Sequence, residues 1–439
     1  MSNKTLLRKT FEALLQEVRP QNLIRQECRL KDNILTVMGQ SYDLDKYKNI
    51  YLLGSGKAVI PMAQEIHALL SSYITKSLII GAYECSEKFG NCLYFKSTHP
   101  LPSQKSIQAA RALQTMMASL DEDDLFIYLL SGGNSAMVEL PEEPITLNEL
   151  QEATSLMLKG AMPIEKINSV RKHISQVKGG KLANCTQAQG IVLVLSDVIG
   201  DDLHAIGSAP LYCDTTTFKD AKASLEEYGL FETMPQSIQN VIEEGQKGLR
   251  TETPKTPHKH IDHYILGSNT LVIQKAQKLL LASGVDATVI EKPIEGDTQK
   301  LAEQLLQFAD SHQQSRHCYI FGGESTVLVQ GEGKGGRNQH LCLSVLKQLE
   351  GKTDITFLSA ATDGIDGNSD AAGAVIDIHS PVDARSHNID VQHYLDTFDS
   401  NSFFAQTGEL LVPGPTHNNL LDIVMILIEP KLIEGETNG

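Results

Sequence analysis

The sequence predicts an α/β protein of two domains, each with a mainly parallel or mixed sheet flanked by helices. Three observations lead there. Short apolar runs alternate with helical patterns along the chain, glycine-rich segments follow several of those runs directly, and a polar stretch carrying Pro254 and Pro257 interrupts the pattern. The 439 residues suffice for two ordinary cores, since one core seldom grows past about 250–300 residues.

Taken in order, the first element is an amphipathic helix with Leu7, Phe11, Leu14, Leu15 and Val18 on one side, lacking the continuous apolar stretch of a signal peptide. Strands are expected at Ile50–Leu53, Leu78–Ile80, Leu125–Leu130, Ile191–Leu195 and Tyr264–Leu266. Further strands are expected at Ala287–Ile290, Cys318–Phe321, Thr326–Val329 and Ile355–Leu358. Between them, Thr146 and Glu149 form a capping box before Leu150–Leu158, and Pro235 suits the first turn of a helix running to Gly245. The polar stretch between Leu249 and His260 offers few packed contacts, so the domains are set at 1–250 and 261–439. The N-terminal helix is free to pack on either.

Composition narrows the function. Apolar residues make up 41% and charged residues 21%, as in ordinary globular chains. The 38 Lys and Arg against 54 Asp and Glu give a net charge of −16, which repels nucleic acid and anionic membranes. No segment is apolar enough to span a bilayer. Seven scattered cysteines without a C-x-x-C favour neither a disulfide framework nor a zinc site, and fit a reducing cytoplasm. An anionic ligand must therefore be held by glycine loops, helix N-termini and single cationic side chains.

Six segments answer that description. Gly54-Ser55-Gly56-Lys57 follows a strand and leads into a helix, so backbone N–H groups and one full positive charge converge. It is not a Walker A loop, because Ala58 replaces the magnesium-binding hydroxyl. Ser131-Gly132-Gly133-Asn134-Ser135 is a second strand-end glycine loop, equally readable as a plain turn. The stretch 167–182 is the densest basic cluster of the chain; helical spacing puts Arg171, Ser175 and Lys178 on one face, which is otherwise a solvated basic face. Asp197 follows Ile191–Leu195 at a sheet edge, where a carboxylate can hold Mg²⁺ or accept a hydroxyl proton; Asp201 or Asp202 would cap a helix. Gly322–Ser325 and Gly331–Arg337 flank the expected strand Thr326–Val329. The second satisfies G-x-G-x-x-G and ends in Gly335, Gly336 and Arg337, a residue able to grip a carboxylate or phosphate with two hydrogen bonds. Asp363, at the end of another strand, is better placed for chemistry than Asp366, which reads as a turn former. Together these are the parts of phosphoryl transfer, divided over two domains whose cleft would exclude water.

The ordered blocks GSGKA (54–58), HPLPS (99–103), SGGNSA (131–136), INSVRKHISQVKGGKLA (167–183), SDVIGDD (196–202), GGES (322–325), GKGGRNQ (333–339), TDGIDG (362–367), DAAGA (370–374) and PTHNNLLD (415–422) resemble the class II, MOFRL-type glycerate 2-kinases. The resemblance implies a Rossmann-like first domain, a MOFRL-type second domain and an active site in the interdomain cleft. It implies phosphorylation of D-glycerate at its 2-hydroxyl, using ATP and Mg²⁺ or another divalent cation, with a homodimer as one assembly to consider. On matching positions, Lys57 and Arg337 would face the cleft, one holding the glycerate carboxylate and the other the migrating phosphoryl group. Asp197 and Asp363 would be metal ligands or orient the hydroxyl. Gly54, Ser55, Gly56, Ser131, Gly132, Gly133, Asn134, Ser135, Arg171, Lys178, Gly335 and Gly336 would line the substrate and phosphate sites. Asn134, Thr98, Ser103, His417 and Asn418 depart from the family pattern and bear on substrate preference. The rivals are an NAD(P)H-dependent hydroxypyruvate reductase, suggested by the Gly331–Gly336 fingerprint, and a non-catalytic anion-binding protein.

Overall fold

The computed structural model describes residues 2–85, 90–349 and 354–430. They form two compact units. One spans Leu23–Leu266; the other joins the N-terminal helix Asn3–Glu17 to the chain from Gly267 onward.

The first unit opens with an antiparallel meander of β1 (Cys28–Lys31), β2 (Ile34–Val37) and β3 (Gln40–Asp43). Its short, half-polar strands gave no clear apolar run. The main sheet contains β4 (Asn49–Ser55), β5 (Ile74–Gly81), β6 (Cys92–Lys96), β7 (Asp124–Leu130), β8 (Gln189–Leu195) and β9 (Ile261–Gly267), in the order β6-β5-β4-β7-β8-β9. The five strands β4 to β8 run parallel. This is the strand order of doubly wound dinucleotide-binding folds, with the order reversing between β4 and β7. All of β7 is buried because the sheet is covered on both faces. Leu53, Leu78, Ile80, Phe126 and Tyr128 pack with the helix Gln104–Ala118, and the helix Val59–Leu70 lies against β4, β5 and β7. Four helices between 147 and 246 enclose a separate core of Leu150, Met157, Ile167, Val170, Phe218, Leu225 and Ile238. The first of them, Leu147–Lys159, has the expected capping box, with Glu149 Oε2 accepting from the Thr146 N–H at 2.8 Å.

The expected boundary at 250–261 is displaced. The strand at Tyr264, assigned above to the second domain, is β9 of the first sheet, and the Gly190 N–H donates to the His260 carbonyl at 2.7 Å. The proline-bearing stretch is tied down: His173 Nε2 lies 2.8 Å from Glu252 Oε1, and Thr253 Oγ1 donates to Asp214 Oδ2 at 3.1 Å. Polar composition therefore marked a segment satisfied by specific side-chain partners, and not a bare linker.

The second unit has the order β10-β11-β15-β12-β13-β14 for β10 (Ala287–Asp297), β11 (His317–Thr326), β12 (Ile355–Ala361), β13 (Gly373–Asp377), β14 (Leu410–Leu411) and β15 (Asp422–Ile428). Only β10 and β11 are parallel; the other neighbours are antiparallel. The N-terminal helix belongs here, burying Leu7, Phe11, Leu14 and Leu15 and anchoring Lys4 to Glu409 at 2.6 Å. The expected strand Thr326–Val329 does not form. Gly322 and Gly323 lie inside β11, which ends at Thr326, and Leu328 and Val329 are 76% and 58% exposed. Their apolar character reflects an exposed loop, so hydrophobicity alone misplaced the strand.

Candidate active site

Three strand-end loops stand side by side in the first unit because β4, β7 and β8 are adjacent and parallel. They carry Lys57, Ser131–Gly133 and Asp197, on either side of the point where the strand order reverses. Backbone contacts lock them together: the Lys57 N–H donates to Gly132 O at 2.9 Å, and the Ala58 N–H to Ser131 Oγ at 3.1 Å. Gly56 has φ of 127°, and a Cβ there would lie 2.2 Å from Ser131 Oγ, so glycine is required on both counts. At Gly132 a Cβ would lie 2.2 Å from Asp197 Oδ2. The Asp197 carboxylate thus rests directly over the second glycine loop. At Gly133 the corresponding point is 3.3 Å from Lys57 Cγ and 3.1 Å from His99 Cδ2. Lys57, His99 and Asp197 therefore border one glycine platform.

Lys57 is half-buried, and its side chain makes no hydrogen bond or ion pair among the described residues. Burial raises the Asp197 pKa above its ordinary value, opposed by its own backbone N–H and by the Lys57 charge. Burial and the neighbouring Lys57 push His99 down to about 4. Lys57 is a cation held near one carboxylate and one neutral ring, with its ammonium unclaimed by the fold.

Several expected ligand residues instead build the platform. Ser55 and Asn134 are 0% and 1% exposed; Ser55 Oγ donates to Asn134 Oδ1 at 2.5 Å, and Asn134 Nδ2 to Gly207 O at 2.8 Å. Gly54 lets β4 approach Leu129 and Val59 closely. Ser131 Oγ is occupied by the Ala58 amide, and Ser135 Oγ lies 2.8 Å from Ser208 Oγ. The basic cluster is corrected as well. The helix Ile164–His173 stops before Ser175 and Lys178, so these do not share a helical face with Arg171. Lys178 is 1% exposed and paired with Glu139 at 2.5 Å, so its side chain cannot meet a ligand without unburying that pair. Lys172 pairs with Asp214, and Lys181 with Glu142. Of this cluster's lysines and arginine, the Arg171 side chain alone remains without a hydrogen bond or ion pair among the described residues.

In the second unit Arg337 opens the helix Arg337–Gln348, behind Gly336 as N-cap. Its Nε and Nη2 donate to Asp422 Oδ2 and Oδ1 at 2.6 and 3.1 Å, and Nη1 lies 2.5 Å from Glu324 Oε1. Burial would lower the arginine's pKa, but the hydrogen bonds and charge of Asp422 and the charge of Glu324 raise it above its ordinary value. Asp366 is not a simple turn residue: it is 2% exposed and its carboxylate accepts from the N–H groups of Asn338 and Gln339 at 3.1 and 2.8 Å, holding the helix N-terminus. Burial lifts it to about 6 despite those donors. A Cβ at Gly336 would lie 2.3 Å from Asp366 Oδ1, and one at Gly335 2.3 Å from Ser400 Oγ, so each missing side chain serves a close approach. Asp363 Oδ1 accepts from the Ile365 N–H at 3.1 Å. The G-x-G-x-x-G segment lies in a ten-residue connection from β11 to the helix at Arg337, in a mixed sheet. That is not the tight turn of a dinucleotide fingerprint.

Asp422 and Glu324 were missed as partners of Arg337. A carboxylate after a strand end is legible as a site residue, but β15 is antiparallel and begins at this edge, where Asp422 pairs with Gly323 of β11 and Ala361 of β12. No group of three or more His, Cys, Asp or Glu able to hold a metal occurs among the described residues. Asp197 nevertheless fits the single carboxylate that a phosphate-borne Mg²⁺ requires, since that ion is usually held by one or two carboxylates plus phosphate oxygens.

Fold and loops define an α/β protein that sets glycine loops beside single charged side chains at the ends of parallel strands. The sequence profile described as a domain of unknown function (DUF4147) matches residues 6–243, and that of the MOFRL family matches residues 317–422. A glycerate 2-kinase of Pyrococcus horikoshii is 34% identical over 430 residues, covering 94% of each chain. A D-glycerate 2-kinase of Thermotoga maritima is 35% identical over 387 residues, covering 86% of this chain and 90% of the other. A crystal structure of Thermotoga maritima glycerate kinase superposes with a TM-score of 0.85 at 32% identity, covering 97% of this chain and 99% of that one. The chain belongs to the glycerate 2-kinase family.

Proposed function

We propose that the enzyme transfers the γ-phosphoryl group of ATP to the 2-hydroxyl of D-glycerate, giving 2-phosphoglycerate and ADP. The reading rests on Lys57, a cation without an ion pair, set against Asp197 on the glycine platform at the reversal of strand order. In phosphoryl transfer little covalent work falls to the protein; positioning and charge stabilisation supply the rate. We assign Lys57 to the charge on the migrating phosphoryl oxygens. Asp197, with its pKa raised by burial, orients the 2-hydroxyl and accepts its proton, or holds the divalent ion that neutralises the ATP phosphates. Asp363 is the second candidate for that ion. Arg337 has five N–H donors, three of them engaged by Asp422 and Glu324, and we assign the remaining ones to phosphate contact.

Among the described residues no helix is long and apolar enough to cross a membrane. The seven free cysteines fit the reducing cytoplasm in which we place the enzyme. Coupled ADP detection with D-glycerate, with and without Mg²⁺, tests the reaction, and chromatography of the product separates 2- from 3-phosphoglycerate. Absence of glycerate-dependent ADP in both conditions refutes the proposal. Oxidation of NADH on adding hydroxypyruvate would instead support a reductase.

A further inference from the structure

We propose that Arg171 is the residue that reads the substrate's carboxylate, and so selects a hydroxy acid over a neutral polyol. The inference rests on the glycerate kinase reading of the same site and goes beyond it by naming the specificity residue.

Arg337 is the obvious alternative, but Asp422 takes two of its donors in a bidentate pair and Glu324 a third, and the remaining ones are assigned above to phosphate, which leaves no fork for a second carboxylate. Arg171 has the opposite balance. Among the described residues the carboxylate that acts on it is Glu139, both of whose oxygens are engaged, Oε2 by Lys178 and Oε1 by the Leu140 N–H. Two half-buried or buried cations thus share one carboxylate, leaving a net positive charge that a single-charged anion would balance. A guanidinium offers such an anion two parallel hydrogen bonds.

Position supports the same reading. Arg171 stands three residues after Asn168 on the helix Ile164–His173, so both side chains leave the same face. Asn168 Oδ1 accepts from Ser208 Oγ at 3.3 Å, and Ser208 Oγ lies 2.8 Å from Ser135 Oγ, within the short helix Asn134–Met137. Lys57 borders the start of that helix at Gly133, and Arg171 is coupled to Glu139 just beyond its end.

The test compares wild type, Arg171→Lys and Arg171→Met in steady-state kinetics with D-glycerate and with glycerol, and in calorimetric binding of D-glycerate without ATP. For Arg171→Met the glycerate KM should rise roughly 100-fold, while the ATP KM stays within about twofold and the preference for glycerate over glycerol collapses. Arg171→Lys, which keeps the charge but not the fork, should fall between. An unchanged glycerate KM and preference in Arg171→Met, with wild-type turnover intact, overturns the inference alone. Wild-type binding of glycerate that Arg171→Met loses, without turnover in either, would sustain the inference and overturn the kinase reading. Wild type that neither binds nor turns over glycerate overturns both.

Discussion

Arg337 and Asp422 are joined by two parallel hydrogen bonds of 2.6 and 3.1 Å, and the Asp422 carboxylate is 0% exposed. The pair fixes the guanidinium plane at the edge where β11, β12 and β15 meet. Asp422→Ala should cost about 1.5–3 kcal/mol in urea unfolding, because it removes a bidentate partner from a guanidinium that keeps only Glu324. Asp422→Asn, similar in volume, should fold and lose kcat more than stability. Wild-type kcat in Asp422→Asn would remove Asp422 from any part in positioning Arg337.

Lys57→Ala tests the opposite situation. No ion pair is lost, so the melting temperature should barely move, with stability within about 0.5 kcal/mol of wild type. Turnover should fall about 10²–10³-fold, the usual effect of deleting one group that meets charge only in the transition state. Unchanged kcat would remove Lys57 from the mechanism.

Gly132→Ala places a methyl group 2.2 Å from Asp197 Oδ2. The carboxylate must shift, with a stability cost of about 1–3 kcal/mol. The larger effect should be on kcat, with the protein still folded by circular dichroism. Normal turnover would show that Asp197 tolerates displacement and is not aligned with the reaction.

Acid stability has a sign fixed by Glu252. Burial acts to raise its pKa, but hydrogen bonds from His173 and from the Phe218 and Thr253 N–H groups win and hold it at about 2, below its ordinary 4.5. A carboxylate depressed in the folded state stabilises fully above about pH 4.5, and that contribution is lost as pH falls towards 2. Glu252→Gln should therefore lower the melting temperature at pH 7, and the gap from wild type should narrow steadily below pH 4.5. A constant gap across that window would contradict the assignment.

Much of the fold is legible in the sequence. Parallel strands buried on both faces require continuous apolar runs, and β4, β5, β7 and β8 carry them; Thr146 and Glu149 announced their helix by a hydrogen-bond pattern that needs only four residues. The meander β1–β3 escaped because short half-exposed strands lack such runs, and Thr326–Val329 misled because apolar residues also occur in exposed loops.

By itself the sequence determined the α/β class and the loops that follow strands, and it singled out Lys57, Arg337 and Asp197 as candidates, because each is written in a local pattern of glycine, strand and charge. Only the tertiary structure decided which charges are already spent. Whether a lysine or arginine is free depends on carboxylates far away in the chain, such as Glu139 for Lys178 and Asp422 for Arg337. The pairing of these buried charges is set by the packing of whole elements, and for these two pairs no local window of sequence contains both partners.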